Sequence, residues 1–303
     1  MKKAIITGSS GLVGRSVARY LVTNGIKVLC IGRKHLASDY VKTLFPEGVE
    51  YIQLEMENLI ELPDKINHLN WEIDNDCVFY NFAWSGNNNL TDGNFEDQLK
   101  NATFSSLAVK IAKKIGCLKF INSGTLEETY AEWNMKHNLP YTSAQGNYAI
   151  AKLAARDMCA IVAYLEKIDY IHTRLSVPIS PDLSIGGYIP KTLKKIVDKK
   201  NYEPPKNDQL FDIILTDDVA EAYYLIGLNG KNKADYFIGS GKPIKLIDYF
   251  KQFEQAIMGK RIERKKYSSI YSTKFFNTDA LHQDTGFISK TDRLNFLSKE
   301  NTI

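Results

Sequence analysis

Cysteine is scarce in this chain: Cys30, Cys77, Cys117 and Cys159 are the four present, each among apolar residues, with no C-x-x-C pair and no neighbouring histidine cluster. That pattern argues against a disulfide framework or a zinc centre and predicts four buried free thiols. No apolar run reaches the ~18 residues of a membrane span, and the N-terminus enters a strand almost at once, without the charged-then-apolar stretch of a secretory signal. A large charge of one sign is missing too. The 39 basic and 35 acidic residues leave a net +4, too small and too dispersed for a nucleic-acid surface, although local positive charge suffices for a small polyanion. The expectation is a soluble cytoplasmic protein with no metal, no membrane and no nucleic-acid partner. With 44% hydrophobic residues and no repeat, low-complexity segment or long linker, the chain can bury a sizeable core as one large or two unequal domains.

What is present begins at the first residues. Lys3 to Thr7 reads as a short buried strand, Gly8, Gly11 and Gly14 recur every third position, and Val17, Leu21 and Val22 give 16–24 a helical spacing. A strand, a glycine-rich turn and a helix make a place for a phosphate: the glycines let backbone approach a ligand closely, and the helix N-terminus offers N–H groups and partial positive charge. A tight turn without a ligand is the plainer alternative. With the flanking context present, the turn reads as a dinucleotide site involving Thr7, Gly8, Ser10, Gly11, Leu12, Val13 and Gly14.

The G-x-x-G-x-x-G spacing resembles that of the extended short-chain dehydrogenase/reductase family, which includes many nucleotide-sugar epimerases, dehydratases and reductases. The resemblance runs over nearly the whole chain and weakens in the last ~40 residues. It implies an α/β fold, a Rossmann-type doubly wound parallel sheet with a smaller C-terminal α/β substrate domain. The dinucleotide-binding domain would be 1–177, with 211–230 returning to it, and the substrate domain 178–303.

A second strand, Lys27 to Ile31, ends at Gly32 and is followed by Arg33 and Lys34. NAD-binding folds usually place a carboxylate at this strand end to hold the ribose 2′-OH. Its absence removes a repulsion against a 2′-phosphate, which the planar fork of Arg33 suits. NADP(H) is therefore favoured over NAD(H), the alternative being that Arg33 and Lys34 are solvated loop charges. The third strand, 49–54, leads to Glu55 and Met56, where the family has an acidic and an apolar residue beside the adenine. The fourth strand, Cys77 to Tyr80, leads into Asn81-Phe82-Ala83-Trp84-Ser85-Gly86, similar to the family loop beneath the cofactor. A long helix over 95–114 carries Asn101 at a position where the family has a helix asparagine, with a structural or cofactor role.

The fifth strand, 118–122, opens into Ser123-Gly124-Thr125-Leu126-Glu127. A loop containing Trp133, His137 and Pro140 follows, then a helix over 147–165 and a sixth strand over 170–175. Pro178, Pro181, Gly186, Gly187 and Pro190 break the pattern before a short basic helix, 191–197. Beyond them, Phe211 to Tyr223 resembles the family's return to the main sheet, with Asp217 expected as a helix N-cap. The strand 236–241, the helix 246–258 and the segment 281–287 are expected to complete the smaller domain.

Tyr148 and Lys152 stand four apart on a predicted helix, so their side chains share a face. A nearby ammonium favours phenolate and is expected to lower the phenol pKa, letting Tyr148 exchange a proton with an alcohol or ketone oxygen. Tyr202 and Lys206 repeat the spacing, but Pro204 and Pro205 between them forbid a helix. Tyr148-x-x-x-Lys152 matches the family's catalytic pair. The resemblance puts Thr125 in the place of the third catalytic residue, donating to the reacting oxygen, with Ser123 nearer the nicotinamide and Lys152 also on its ribose.

Dehydratases of the family carry an Asp where this chain has Leu126, which cannot donate a proton. Epimerases generally keep an acidic residue at the second strand end. The resemblance thus implies NADPH-dependent reduction of the 4-keto group of a nucleotide-linked deoxysugar, for bacterial surface polysaccharide. A 4-epimerase or other carbonyl reductase is the alternative, and a non-catalytic dinucleotide-binding protein a third reading. The nucleotide-diphosphate sugar would meet Ser85, Thr125, Glu127, Tyr148, Val177 and Lys191. Val177 replaces an asparagine common in the family, and Gln209 to Asp212 lacks its nucleotide-holding arginine. Relatives often form homodimers through the helices that here contain Phe104 and Ala154.

Overall fold

The structure is a computed structural model that describes residues 1–35, 43–69, 71–73, 76–86, 94–140, 145–205, 210–261 and 274–297. The first half of the chain runs β1 (Lys3–Thr7), α1 (Leu12–Thr23), β2 (Lys27–Gly32), β3 (Glu50–Gln53), α2 (Leu62–Asn67), β4 (Cys77–Asn81), α3 (Phe95–Lys114), β5 (Lys119–Thr125), α4 (Leu126–Lys136), α5 (Gln145–Glu166) and β6 (Asp169–Leu175). Then come β7 (Val177–Ile179), α6 (Tyr188–Val197), β8 (Leu210–Phe211), β9 (Ile213–Leu215), α7 (Thr216–Asn229), β10 (Asp235–Ile238), β11 (Ile244–Lys245), α8 (Leu246–Ile257) and α9 (Asp279–Thr285).

Seven strands form one parallel sheet in the order β10-β6-β5-β4-β1-β2-β3. Its strands are apolar on both sides because both faces are covered. Side chains alternate across the pleat: Ala4 and Ile6 join Val17, Leu21, Val219 and Tyr223 on one face, while Ile5, Phe79 and Phe120 join Ile66, Val109, Ala112 and Ala163 on the other. This is a Rossmann-like, doubly wound α/β fold. The strand order reverses between β1 and β4, and the crevice at the carboxyl ends there is where such sheets take ligands. The four cysteines are buried free thiols. Among the described residues no helix is long and apolar enough to cross a membrane, and no group of side chains has the makings of a metal site.

A smaller core lies beyond β6. It joins the β7–β9 pair, the β11–β8 pair and helices α6 and α8 around Ile179, Leu193, Ile213, Tyr249, Phe250 and Phe253. Two segments expected in this part belong to the main body instead. β10 is the edge strand of the large sheet, paired with β6, and Leu281 and Phe287 complete the core beneath α7. Apolar character alone does not say which of two cores a segment joins.

Two other local expectations are corrected. The stretch read as a loop around Trp133 is helix α4, closed at its start by a reciprocal cap: Glu127 N–H donates to Thr125 Oγ1 at 3.4 Å and Thr125 N–H to Glu128 Oε1 at 2.9 Å. This is a capping box, legible in Thr125-x-x-Glu128. Asp217 is not an N-cap, since α7 starts at Thr216 with Leu215 before it. Its neighbour Asp218 is buried and accepts from Ser289 Oγ at 2.6 Å and Thr291 N–H at 2.8 Å, fastening the C-terminal segment.

Candidate active site

The glycine turn joins β1 to α1 at the crest of the sheet. Gly8 has φ of +65°, and a Cβ there would stand 2.7 Å from Ala83 N and Phe82 C, so the turn lies hard against the loop after β4. Gly14 is buried, and a Cβ there would come within 2.5 Å of Gly8 O, so its bareness lets α1 close onto the turn. No side chain caps α1 and no acidic residue stands in its first turn, which begins at Leu12 and Val13. Those N–H groups are left to an anion or to solvent, a fit for the pyrophosphate of a dinucleotide. Ser10 and Gly11 sit on this crest. Ser9, which sequence reasoning passed over, is fully buried and donates from both N–H (3.3 Å) and Oγ (3.0 Å) to Ile31 O, locking the turn to the end of β2.

The Thr7 hydroxyl points into the sheet, donating to Asn81 Oδ1 at 2.7 Å and accepting from Ala83 N–H at 3.4 Å. Phe82 turns its ring into the core, 4.7 Å centroid to centroid from Tyr223, so only its backbone is offered upward. Asn101 is buried in α3 and brackets Ser85, accepting from its N–H at 2.8 Å and donating to its carbonyl at 3.0 Å. Its role is structural: it holds the loop beneath the crevice. Glu55, Arg33 and Lys34 are exposed at the strand ends, and Met56 leans on the core under α3.

Tyr148 and Lys152 lie on one face of α5, one turn apart, where alanines 149, 151 and 155 let the helix sit close to its neighbours. Lys152 is buried and donates from Nζ to Ser123 O at 2.8 Å. Trp84 completes the group: Lys152 Nζ stands 3.8 Å above its ring centroid, its edge meets the Tyr148 ring at 5.9 Å, and its Nε1–H donates to Gln98 Oε1 at 2.8 Å. An aromatic face so placed is a cation–π partner that sheds water from the ammonium. Burial brings the Lys152 pKa down to about 8, against an opposing pull from Glu128.

The expectation of a lowered phenol pKa is not met. Burial pushes Tyr148 up, a hydrogen bond with the Thr125 hydroxyl pulls the other way, and Glu128 and Glu127 add to the rise. Desolvation of the phenolate outweighs its charged neighbour, so Tyr148 rests as a neutral phenol, a proton donor. Thr125 thus both caps α4 and faces the phenol. Ser123 points inward instead and accepts from Tyr223 Oη at 3.0 Å.

Glu127, at the start of α4, is half-buried; burial raises its pKa, and no cation pairs with it among the described residues. Val177 contributes to the smaller core. Lys191 is exposed on α6, whose Lys194 pairs with Asp198, as on a solvated basic face. His137 is exposed at the far end of α4, ~18 Å along the helix from Thr125.

Sequence reasoning also missed a buried polar chain across the strand ends. Thr7 donates to Asn81, Asn81 Nδ2 donates to Asn122 Oδ1 at 2.9 Å, Asn122 Nδ2 lies 3.4 Å from His172 Nδ1, and His172 Nε2 meets Glu128 Oε2 at 2.7 Å. All five residues are at most 2% exposed. Thr7 and Asn81, polar residues closing the apolar strands β1 and β4, were the available signal.

Residues 4–239 match the NAD dependent epimerase/dehydratase family. Among named proteins, the chain is 24% identical over 263 residues to CDP-abequose synthase of Salmonella typhimurium, covering 84% of this chain and 80% of that one. Among solved structures it is similar to UDP-glucose 4-epimerase of Thermotoga maritima with UDP-glucose (18% identity, TM-score 0.72, 97% and 96% of the two chains). It is also similar to the Bordetella bronchiseptica enzyme WbmG in complex with NAD and UDP (15%, 0.71, 97% and 92%). The family match takes in β1 through β10, nearly the whole of the seven-stranded sheet and the crest above it: this chain belongs to the NAD-dependent epimerase/dehydratase family.

Proposed function

We propose that this protein reduces the 4-keto group of a nucleotide-linked deoxysugar at the expense of NADPH, as a step toward a bacterial surface polysaccharide. The observation that carries the reading is geometric: Tyr148 and Lys152 share one face of α5, with Lys152 Nζ 5.8 Å from the Tyr148 ring centroid and bound to Ser123 O two residues before Thr125. A ketone reduction needs an acid at its oxygen, and the resting phenol is one. The bound dihydronicotinamide would supply the hydride to the carbonyl carbon. Tyr148 gives its proton to the oxygen as charge develops there, Thr125 donates a hydrogen bond to the same oxygen, and Lys152 faces the phenolate left behind. The proton returns to Tyr148 from solvent. A nucleotide-linked sugar is supported by the names of the relatives, CDP-abequose synthase and UDP-glucose 4-epimerase among them. NADPH is supported by Gly32 and Arg33 at the end of β2.

The test is NADPH oxidation with a panel of nucleotide 4-ketosugars, alongside the cofactor content of the purified protein. Turnover of NADPH by protein purified empty supports the reductase; tightly retained NAD with no NADPH oxidation would turn the reading to a 4-epimerase, which the solved neighbours favour.

The pH dependence follows from Lys152. Its ammonium is lost as pH rises through about 8, so kcat/KM is expected to fall above that pH, and Lys152→Met is expected to abolish this alkaline limb along with most activity. In folding the sign is opposite. Between about 8 and the ordinary 10.5 the unfolded chain holds more protons at Lys152 than the folded one, so its share of stability rises with pH there. Alkaline activity loss without unfolding is the expected signature, read by assay and circular dichroism together.

A homodimer would use the outer face of α5, where Ile161, Tyr164 and Leu165 are 62%, 75% and 69% exposed, more apolar surface than a lone helix leaves to water. Ile161→Glu with Leu165→Glu is expected to shift the protein to monomer in light scattering; a wild-type monomer would end the idea.

A further inference from the structure

Gly32 is the last residue of β2, and nothing in its own backbone calls for glycine, since it is not among the positive-φ residues. What leaves no room for a side chain is Tyr51. A Cβ at position 32 would lie 2.7 Å from Tyr51 Oη and 3.4 Å from Cε2 and Cζ. The β2–β3 register pairs Cys30 with Tyr51 and Gly32 with Gln53, which puts Tyr51, Gln53 and Gly32 on one face of the sheet. The Tyr51 ring leans along that face over the bare glycine. It cannot easily step aside: it is 9% exposed, belongs to the main core, and has Phe45 at 6.1 Å.

The same side chain fastens the turn beyond the strand. Tyr51 Oη donates to Lys34 O at 2.9 Å, and Gln53 Nε2 donates to Arg33 O at 3.4 Å. Leu54 N–H donates to Gly32 O at 2.9 Å. Three donors from β3 and its end therefore hold three successive carbonyls, while the side chains of Arg33 and Lys34 remain exposed above the crest. Burial pushes the Tyr51 phenol up to about 12, so it stays a donor throughout the working pH range.

We propose that Tyr51 is the specificity-determining residue of the adenosine end of the site: its hydroxyl occupies the space that a ribose-binding carboxylate at position 32 would need, and holds the Arg33–Lys34 turn in place for a 2′-phosphate. A carboxylate at the end of β2 and a tyrosine at position 51 exclude each other. Cofactor choice is then set from β3, by a residue separated from the phosphate by the turn it anchors.

The proposal rests on the NADP(H) reading above, so the experiment has one arm that depends on that reading and one that does not. Four proteins are compared: wild type, Gly32→Asp, Tyr51→Phe and the double variant. The first arm is the melting temperature without any dinucleotide. Gly32→Asp is expected to lower it by about 2–4 °C or more, and Tyr51→Phe, by removing the obstructing oxygen, is expected to recover most of that loss in the double variant. Additive shifts would overturn the steric claim. The second arm is the dissociation constant of NADPH and of NADH, followed by the fluorescence of the reduced nicotinamide. Tyr51→Phe is expected to weaken NADPH about fivefold, the scale of one lost hydrogen bond, with NADH little changed; the double variant is expected to bind NADH at least tenfold better than Tyr51→Phe does. Coupled melting shifts with an unchanged NADPH-to-NADH ratio across all four proteins would overturn the specificity claim. If the wild type binds the two forms equally, the NADP(H) reading fails and the melting arm still decides whether positions 32 and 51 exclude each other.

Discussion

Tyr148→Phe is expected to cut turnover about a thousandfold, leaving the melting temperature and the dissociation constant for the dinucleotide essentially unchanged. The substitution keeps the ring, and with it the edge contact to Trp84 at 5.9 Å. It removes the proton that the proposed mechanism assigns to the reacting oxygen. Nothing nearby replaces it: the Thr125 hydroxyl can donate a hydrogen bond but is a far weaker acid, and Lys152 is committed to Ser123 O. Single-turnover reduction of a nucleotide 4-ketosugar would separate this chemical step from binding. Turnover within tenfold of wild type would show that the acid lies elsewhere and would undo the catalytic assignment.

The largest effect on folding is expected from Glu128→Ala. Glu128 is completely buried; one oxygen accepts the N–H of Thr125 and the other meets His172 Nε2. Truncation leaves His172, 1% exposed, facing a cavity, and opens the cap of α4. Leaving a buried hydrogen-bonding group without its partner costs about 1–3 kcal/mol, and two are stranded here, a sizeable part of the stability of an ordinary domain. Urea unfolding should show a lowered midpoint with an unchanged slope. Glu128→Gln, which keeps an acceptor for Thr125, should lose less. Because Thr125 also faces Tyr148, the alanine variant should be slow even where it is folded. A midpoint within measurement error of wild type would mean that the pair contributes nothing.

Much of this site was legible in the sequence because it is built from local rules. Glycine spacing, a strand before it and a helix after it place the crest, and the four-residue separation of Tyr148 and Lys152 places two side chains on one face. The long helix 95–114 is found as expected. What escaped depends on partners distant in sequence. The raised phenol pKa is not legible in the sequence, because proximity to an ammonium is visible in a helical repeat whereas burial is not. The meaning of Tyr51 lies in the space above Gly32, on another strand, where no local pattern shows it. A short apolar strand such as β10 carries no mark of which sheet it joins. The start of helix α4, by contrast, is written in Thr125-x-x-Glu128.

The row of side chains from Thr7 through Asn81, Asn122 and His172 to Glu128 has a consequence for descent as well as for chemistry. Each member satisfies the next in a space closed to water, so none can drift alone: changing one strands a donor or acceptor on each side. Relatives should therefore carry the whole row or a wholly different one, inherited as a block. An alignment read across those five columns would sort the lineage into branches, each column changing with the other four.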